Sequence, residues 1–367
     1  MKRQFKKLFK QNLSEIFSLN WPELIPALLI LAPILLIFLF THNVQFFNIA
    51  LVSISLLIIQ SRLRLNWALV TGHYALILIT FSILYFSFPT LFLFVPLVSL
   101  LGFFTIYLSR YGEDFRTLGN YIFIPAVYLS CELRSAILNN FSQVDSHNFF
   151  NLNFLFFNYF HFIFLTLISY FSILIICFLN SKIKKNFQKL KLKFLKKINP
   201  LNNSANQHWL SPAFAIFIVT GIASTLVLIW HTPKAEWMIW SAASVITLDL
   251  KSAKEKLFQR SLGVFIGIPL GFLVSYFLLP KLDLIYTLAS LGIVLSLVAF
   301  KNYILAFGSR CFLLVIATYI STSNLSIALD RIENVLFGGV LGLVCLYLCE
   351  KVRKINAKFN KKFNKIT

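Results

Sequence analysis

Apolar runs of membrane-spanning length follow one another almost from end to end of this chain, and that succession restricts it to a helical membrane protein. Bounded by Pro, Gly, Asn or charge, they fall at 24–40, 44–59, 67–88, 91–108, 121–138 and 154–179 in the first half. The second half has them at 212–230, 237–248, 261–279, 284–300, 304–319 and 332–349. Crossing a lipid core of about 30 Å takes about 20 apolar residues in a helix, and no water is there to satisfy any other backbone form. Several runs, the eighth above all, are shorter than that and predict tilted, broken or partly re-entrant segments. The composition agrees, since 58% of the 367 residues are hydrophobic where a soluble domain holds about 45–50%. The fold class is therefore all-α integral membrane, with about twelve transmembrane helices.

The formal net charge of +21 would suggest nucleic acid in a soluble protein. Here the cations sit in three clusters and in short turns between apolar runs, with nothing to present to a groove, so nucleic acid is excluded as a partner. The lipid bilayer is the partner instead, and the cations report sidedness, because Lys and Arg near helix ends stay on the cytoplasmic side. With the N-terminus inside, 30 of the 34 basic residues fall on cytoplasmic segments; Arg134, Lys234, Lys281 and Arg331 remain at the outer face. A basic stretch, Lys2 to Lys10, precedes a first run that has no small-residue cleavage site, which reads as a retained helix. The expected layout is a basic cytoplasmic N-terminus (1–20), a first transmembrane half (21–180), a lysine-rich cytoplasmic linker (181–207), a second half (208–350) and a basic cytoplasmic tail (351–367). In the linker Lys189, Lys191 and Lys193 alternate with Leu190, Leu192 and Phe194. Both a surface-lying amphipathic helix and a solvated connection fit that pattern.

Landmarks recur at a nearly constant offset: Pro22 with Pro212, Gly72 with Gly263, Tyr121 with Phe312. Six helices return the chain to the side it left, so the two units are expected to be parallel six-helix repeats related by a pseudo-twofold axis along the membrane normal. A pathway is expected where the halves meet. Gly263, Gly267 and Gly271 recur every four residues, and Gly338 and Gly342 repeat the device; such spacing opens one helix face to a close neighbour, here expected at the seam between halves. Pro269 should kink the same stretch.

The run WMIWSAASVITLDLKSAKEKLFQRSLGVFIGIPLG, beginning at Trp237, with Asn302 and Tyr303 and then Arg331, Gly338 and Gly339 further on, resembles the core of the fusaric acid resistance (FUSC) family. The resemblance covers roughly 211–350 and reaches the first half more weakly through the repeat. It implies a bacterial inner-membrane protein that exports aromatic carboxylic acids, and the family is similar to the plant aluminium-activated malate transporters, which are anion channels. Movement of small organic anions is the activity that this resemblance implies. Two departures stand out: no long cytoplasmic domain separates the halves, and Leu69 occupies the place that the repeat gives to Arg260.

Ionisable groups inside apolar runs are costly unless they face a cavity or a partner, which makes each one a candidate. Arg260 and Arg310, with Arg62, Arg64, Lys256 and Lys301, are expected to ring an inner vestibule that attracts anions; for any single one of them the competing reading is a topology charge snorkelling to headgroups. Arg260 leads because the resemblance carries it. His73 and Asp249 are candidates for proton coupling, against a satisfied core histidine and a lysine-paired aspartate. Glu132, Arg134, Asp330, Arg331 and Glu333 suggest a mixed-charge outer rim. The five cysteines lie in apolar runs without metal-ligand spacing, no cofactor is implied, and no phosphate loop or hydrolase motif argues for an enzyme. The functional expectation is an organic-anion transporter or channel working in efflux, with a periplasmic adaptor or a second copy as compatible partners. The competing reading is a non-transporting envelope scaffold or a lipid-interacting protein.

Overall fold

The computed structural model describes residues 18–43, 45–63, 65–88, 90–111, 113–141, 152–183, 209–230, 234–322 and 326–363. Residues 184–207 of the lysine-rich linker, and Arg64, thus lie outside the described residues. Twelve α-helices are present among them: α1 Trp21–Thr41, α2 Gln45–Leu63, α3 Trp67–Ser87, α4 Leu91–Tyr107, α5 Glu113–Phe141, α6 Leu152–Ile183, α7 Leu210–Trp230, α8 Ala235–Val245, α9 Leu250–Phe277, α10 Asp283–Leu295, α11 Tyr303–Thr322 and α12 Ser326–Phe363. Nine stretches among the described residues are long and apolar enough to cross a membrane, and the chain is a multi-pass membrane protein. The eleven residues of α8 rise only about 16 Å, roughly half a bilayer core.

Local chemistry sets the helix starts. Asn66 caps α3 by accepting the Leu69 N–H at 3.0 Å, and Asp249 caps α9 by accepting the Ser252 N–H at 2.8 Å and its hydroxyl at 2.7 Å. Because of that second cap, α9 begins at Leu250, well before the apolar run it was read from, and carries its polar first turns as helix. The last helix likewise runs on through the basic tail to Phe363, a segment without Pro or Gly to stop it.

Packing follows hydrophobicity. Every residue from Phe46 to Ile59 except Asn48 is buried, so α2 runs through the middle of the first half, as a helix apolar on all sides must. It lies against α1, α5 and α6, while α3 lies against α5. In the second half α8 packs on α12 and α7, and α9 on α11. Between the halves α4 meets α7 and α1 meets α10. Outward faces are apolar, with Phe40, Phe92 and Phe157 almost bare, as expected of surface in lipid rather than water.

The glycines of α9 do not lie at the seam between halves. A Cβ on Gly263 would meet Phe307, one on Gly267 the Gly308 carbonyl, and one on Gly271 the Phe312 carbonyl, so this face closes on α11 within the second half. Gly338 and Gly342 do the same for α12 against the Met238 and Ala242 carbonyls of α8. Turns meet in two groups. At one end the Asn20 N–H donates to Ala299 O at 2.8 Å and the Lys301 N–H to Ser18 O, tying the chain before α1 to the α10–α11 turn. The Arg116 guanidinium donates to Ile246 O at 2.8 Å at the start of the α8–α9 turn. Elsewhere Lys234, before α8, pairs with Glu132 of α5.

Candidate functional site

Glycine spacing in α9 builds the site before any charge is considered. Because Gly263 has no side chain, the Phe307 ring of α11 can lie where a Cβ would otherwise stand, 2.9 Å away. Three guanidinium groups gather around that ring: Arg260 of α9 with its Cζ 4.5 Å from the centroid, Arg310 of α11 at 5.9 Å and Arg331 of α12 at 5.8 Å. Arg331 also lies over Trp237 of α8 at 4.6 Å. A quadrupolar ring face attracts cations and partly offsets the cost of bringing them together.

Hydroxyls fix two of the cations. Arg260 donates from Nη1 to Ser244 Oγ at 2.7 Å, and Arg310 donates from Nε to Ser296 Oγ at 3.1 Å. The Nε groups of Arg260 and Arg331 are buried without a hydrogen-bond partner. Arg260 and Arg331 are only 6% and 5% exposed, and among the described residues no carboxylate forms an ion pair with any of the three. Lys256, one turn before Arg260, and Tyr303 complete the cluster, since the charges of Arg260, Lys256 and Arg310 all act on the Tyr303 hydroxyl. Tyr303 keeps 37% of its surface open beside these residues.

The structure therefore brings together Arg260, Arg310 and Lys256, and adds Arg331, which had been read as part of an outer rim. Because α12 starts at Ser326, Arg331 lies in its second turn, buried against Trp237 of α8 and Phe307 of α11. Arg62 is exposed at the end of α2, and its charge, like that of Arg310, acts on Tyr121. Lys301 is exposed in the turn before α11. His73 is buried on α3 beside the Tyr121 backbone, with neither ring nitrogen in a well-formed hydrogen bond. Asp249 is exposed and engaged as the α9 cap; the Ser252 N–H and hydroxyl that it accepts hold its carboxyl below the usual range.

Sequence reasoning missed Phe307, Trp237 and above all Glu236. This carboxylate, in the first turn of α8, is 2% exposed with Oε1 unpaired. Glu132, Lys234 and Arg331 all act on it electrostatically. An acidic residue directly before the aromatic start of a span was the available signal. A groove of about 680 Å³ lies between α7, α8 and α12, lined by Trp230, Met238, Asp330, Glu333 and Phe337 among others.

No curated protein and no solved structure matches the chain. The stretch that contains α8 to α11 whole, with Arg260, Phe307, Arg310, Arg331 and Glu236, does have a counterpart. Residues 222–345 match the family described as fusaric acid resistance protein-like.

Proposed function

We propose that this protein moves organic anions, aromatic carboxylates foremost, outward across a bacterial inner membrane, and that the Arg260–Arg310–Arg331 cluster is where they bind. The observation that carries the reading is the convergence of three arginines on one aromatic ring without an ion pair, among the described residues, to any carboxylate. Each such charge costs about 2.5–3.5 kcal/mol on insertion scales at the bilayer centre, and without a counter-ion burial adds to that. A site that accepts the cost three times over, with donors unused, is complementary to an anion. The Phe307 and Trp237 rings beside the guanidinium groups suit an aromatic one.

The pathway is placed between two parallel six-helix repeats with both termini cytoplasmic. What supports the duplication is the matching of neighbours: α1 packs on α2 and α6 as α7 packs on α8 and α12, α3 on α5 as α9 on α11, and α4 on α5 as α10 on α11. Of the contacts across the halves, α4 with α7 and α10 with α1 exchange under the same offset; α10 also meets α2, and α8 meets α5. What supports the sidedness is that the turns with which the charge rule populates the cytoplasm meet one another, through Lys301 with Ser18 and Arg116 with Ile246. A periplasmic adaptor or a second copy remains compatible with this arrangement.

Flux of benzoate through proteoliposomes tests the site. Replacing Arg260, Arg310 or Arg331 by Ala should each lower flux about tenfold to hundredfold, the worth of one charge-assisted contact of about 1.5–3 kcal/mol. Flux unchanged in all three variants would return the protein to the scaffold reading, under which deleting 351–367 should instead abolish its cellular phenotype.

A further inference from the structure

The arginine cluster has one negative charge beside it that is neither exposed nor paired. Glu236 is almost wholly buried, and one of its oxygens has no hydrogen-bond partner. Its surroundings are mixed. From α12 comes Arg331; from α5 come Glu132 and, near it, Tyr128 and Cys131; from the preceding turn comes Lys234. Lys234 is already committed to Glu132, and Tyr286 of α10 acts on that pair. Helix α7 has no charged residue, and α9 contributes Arg260, which acts on Arg331. Among the described residues, Arg331 is thus the one cation acting on Glu236 that no other carboxylate holds, and no ion pair closes between the two.

A buried carboxylate is either compensated by a cation or takes up a proton. Resting on the anion reading above, we infer that Glu236 is a proton-binding site of the transport cycle, sharing Arg331 with the transported anion. While Glu236 is ionised it draws on the Arg331 charge and repels an incoming carboxylate. Once it accepts a proton from water, Arg331 is free to face the anion alone. Anion and proton then favour each other's binding, by the same factor in each direction. The repeat makes the device one-sided, because the first half has Gln45 at the corresponding place. Gln carries no titratable proton.

Calorimetric titration of the purified full-length protein with benzoate, which stays ionised between about pH 6 and about pH 8, tests this. In two buffers of different ionisation heat, binding should take up close to one proton as pH rises, and affinity should fall by at most about tenfold per pH unit, the limit for one coupled proton. Glu236→Gln should bind at the tighter, low-pH level throughout, without proton uptake. His73→Ala should keep the wild-type pH profile. Binding without proton uptake by the unaltered protein, or a pH dependence that persists in Glu236→Gln or vanishes in His73→Ala, overturns the inference alone. The proton count on the unaltered protein stands even if the Gln variant does not fold. No benzoate binding at any pH overturns the anion reading, and this inference with it.

Discussion

Phe307 presents one ring to three guanidinium groups, an arrangement that only a flat apolar surface with a negative face can hold together. Each contact contributes about 0.5–1 kcal/mol when exposed and about 2 when dry. Phe307→Leu keeps most of the apolar volume but removes the face, so the arginines should splay apart. We expect benzoate affinity to weaken about tenfold and thermal unfolding in detergent to begin earlier. Unchanged affinity would mean that the ring only fills space. Phe307 was not legible in the sequence, because a phenylalanine three residues before an arginine on an apolar helix is the commonest of patterns. Arg260 was legible, since a cation in the polar-to-apolar transition of α9 is rare and matches the family.

Between α9 and α11 the fit is set by absent side chains. A Cβ at Gly267 would meet the Gly308 carbonyl, whereas one at Gly72 of α3 meets nothing within 4 Å. Gly267→Val should therefore push the helices apart at a cost of about 1–3 kcal/mol, as overpacked cores do. Gly72→Ala should be neutral or stabilising by about 0.5–1 kcal/mol, since a helical glycine carries that entropy penalty. Unfolding of both variants followed by circular dichroism separates them; equal midpoints would show that the α9–α11 contact yields easily. The spacing of these glycines was visible in the sequence, but their partner was not. Periodicity says which face of a helix is thin, and only the three-dimensional contact says what approaches it. The same limit explains Arg331, since hydropathy began the last span at residue 332, whereas helix α12 starts at Ser326 and tucks its second turn under α8 and α11.

Across the whole molecule, the alternation of apolar runs with charge located the twelve helices in order, because both the backbone in lipid and the insertion rule act on sequence directly. Sidedness can be read by labelling. In a background without native cysteines, Lys281→Cys in the turn after α9 should react with an impermeant thiol reagent on intact cells, while Lys301→Cys, exposed before α11, should react only after permeabilisation. The reverse result would turn the proposed orientation over. The bridge of Leu19 to Phe300 has a bearing on how the chain comes to be assembled. Its two strands of backbone leave the ribosome about 280 residues apart, at about 5–20 residues per second. The segment before α1 thus finds its place only once the α10–α11 turn has been made, a stitch that draws the early helices shut after the tenth has been inserted.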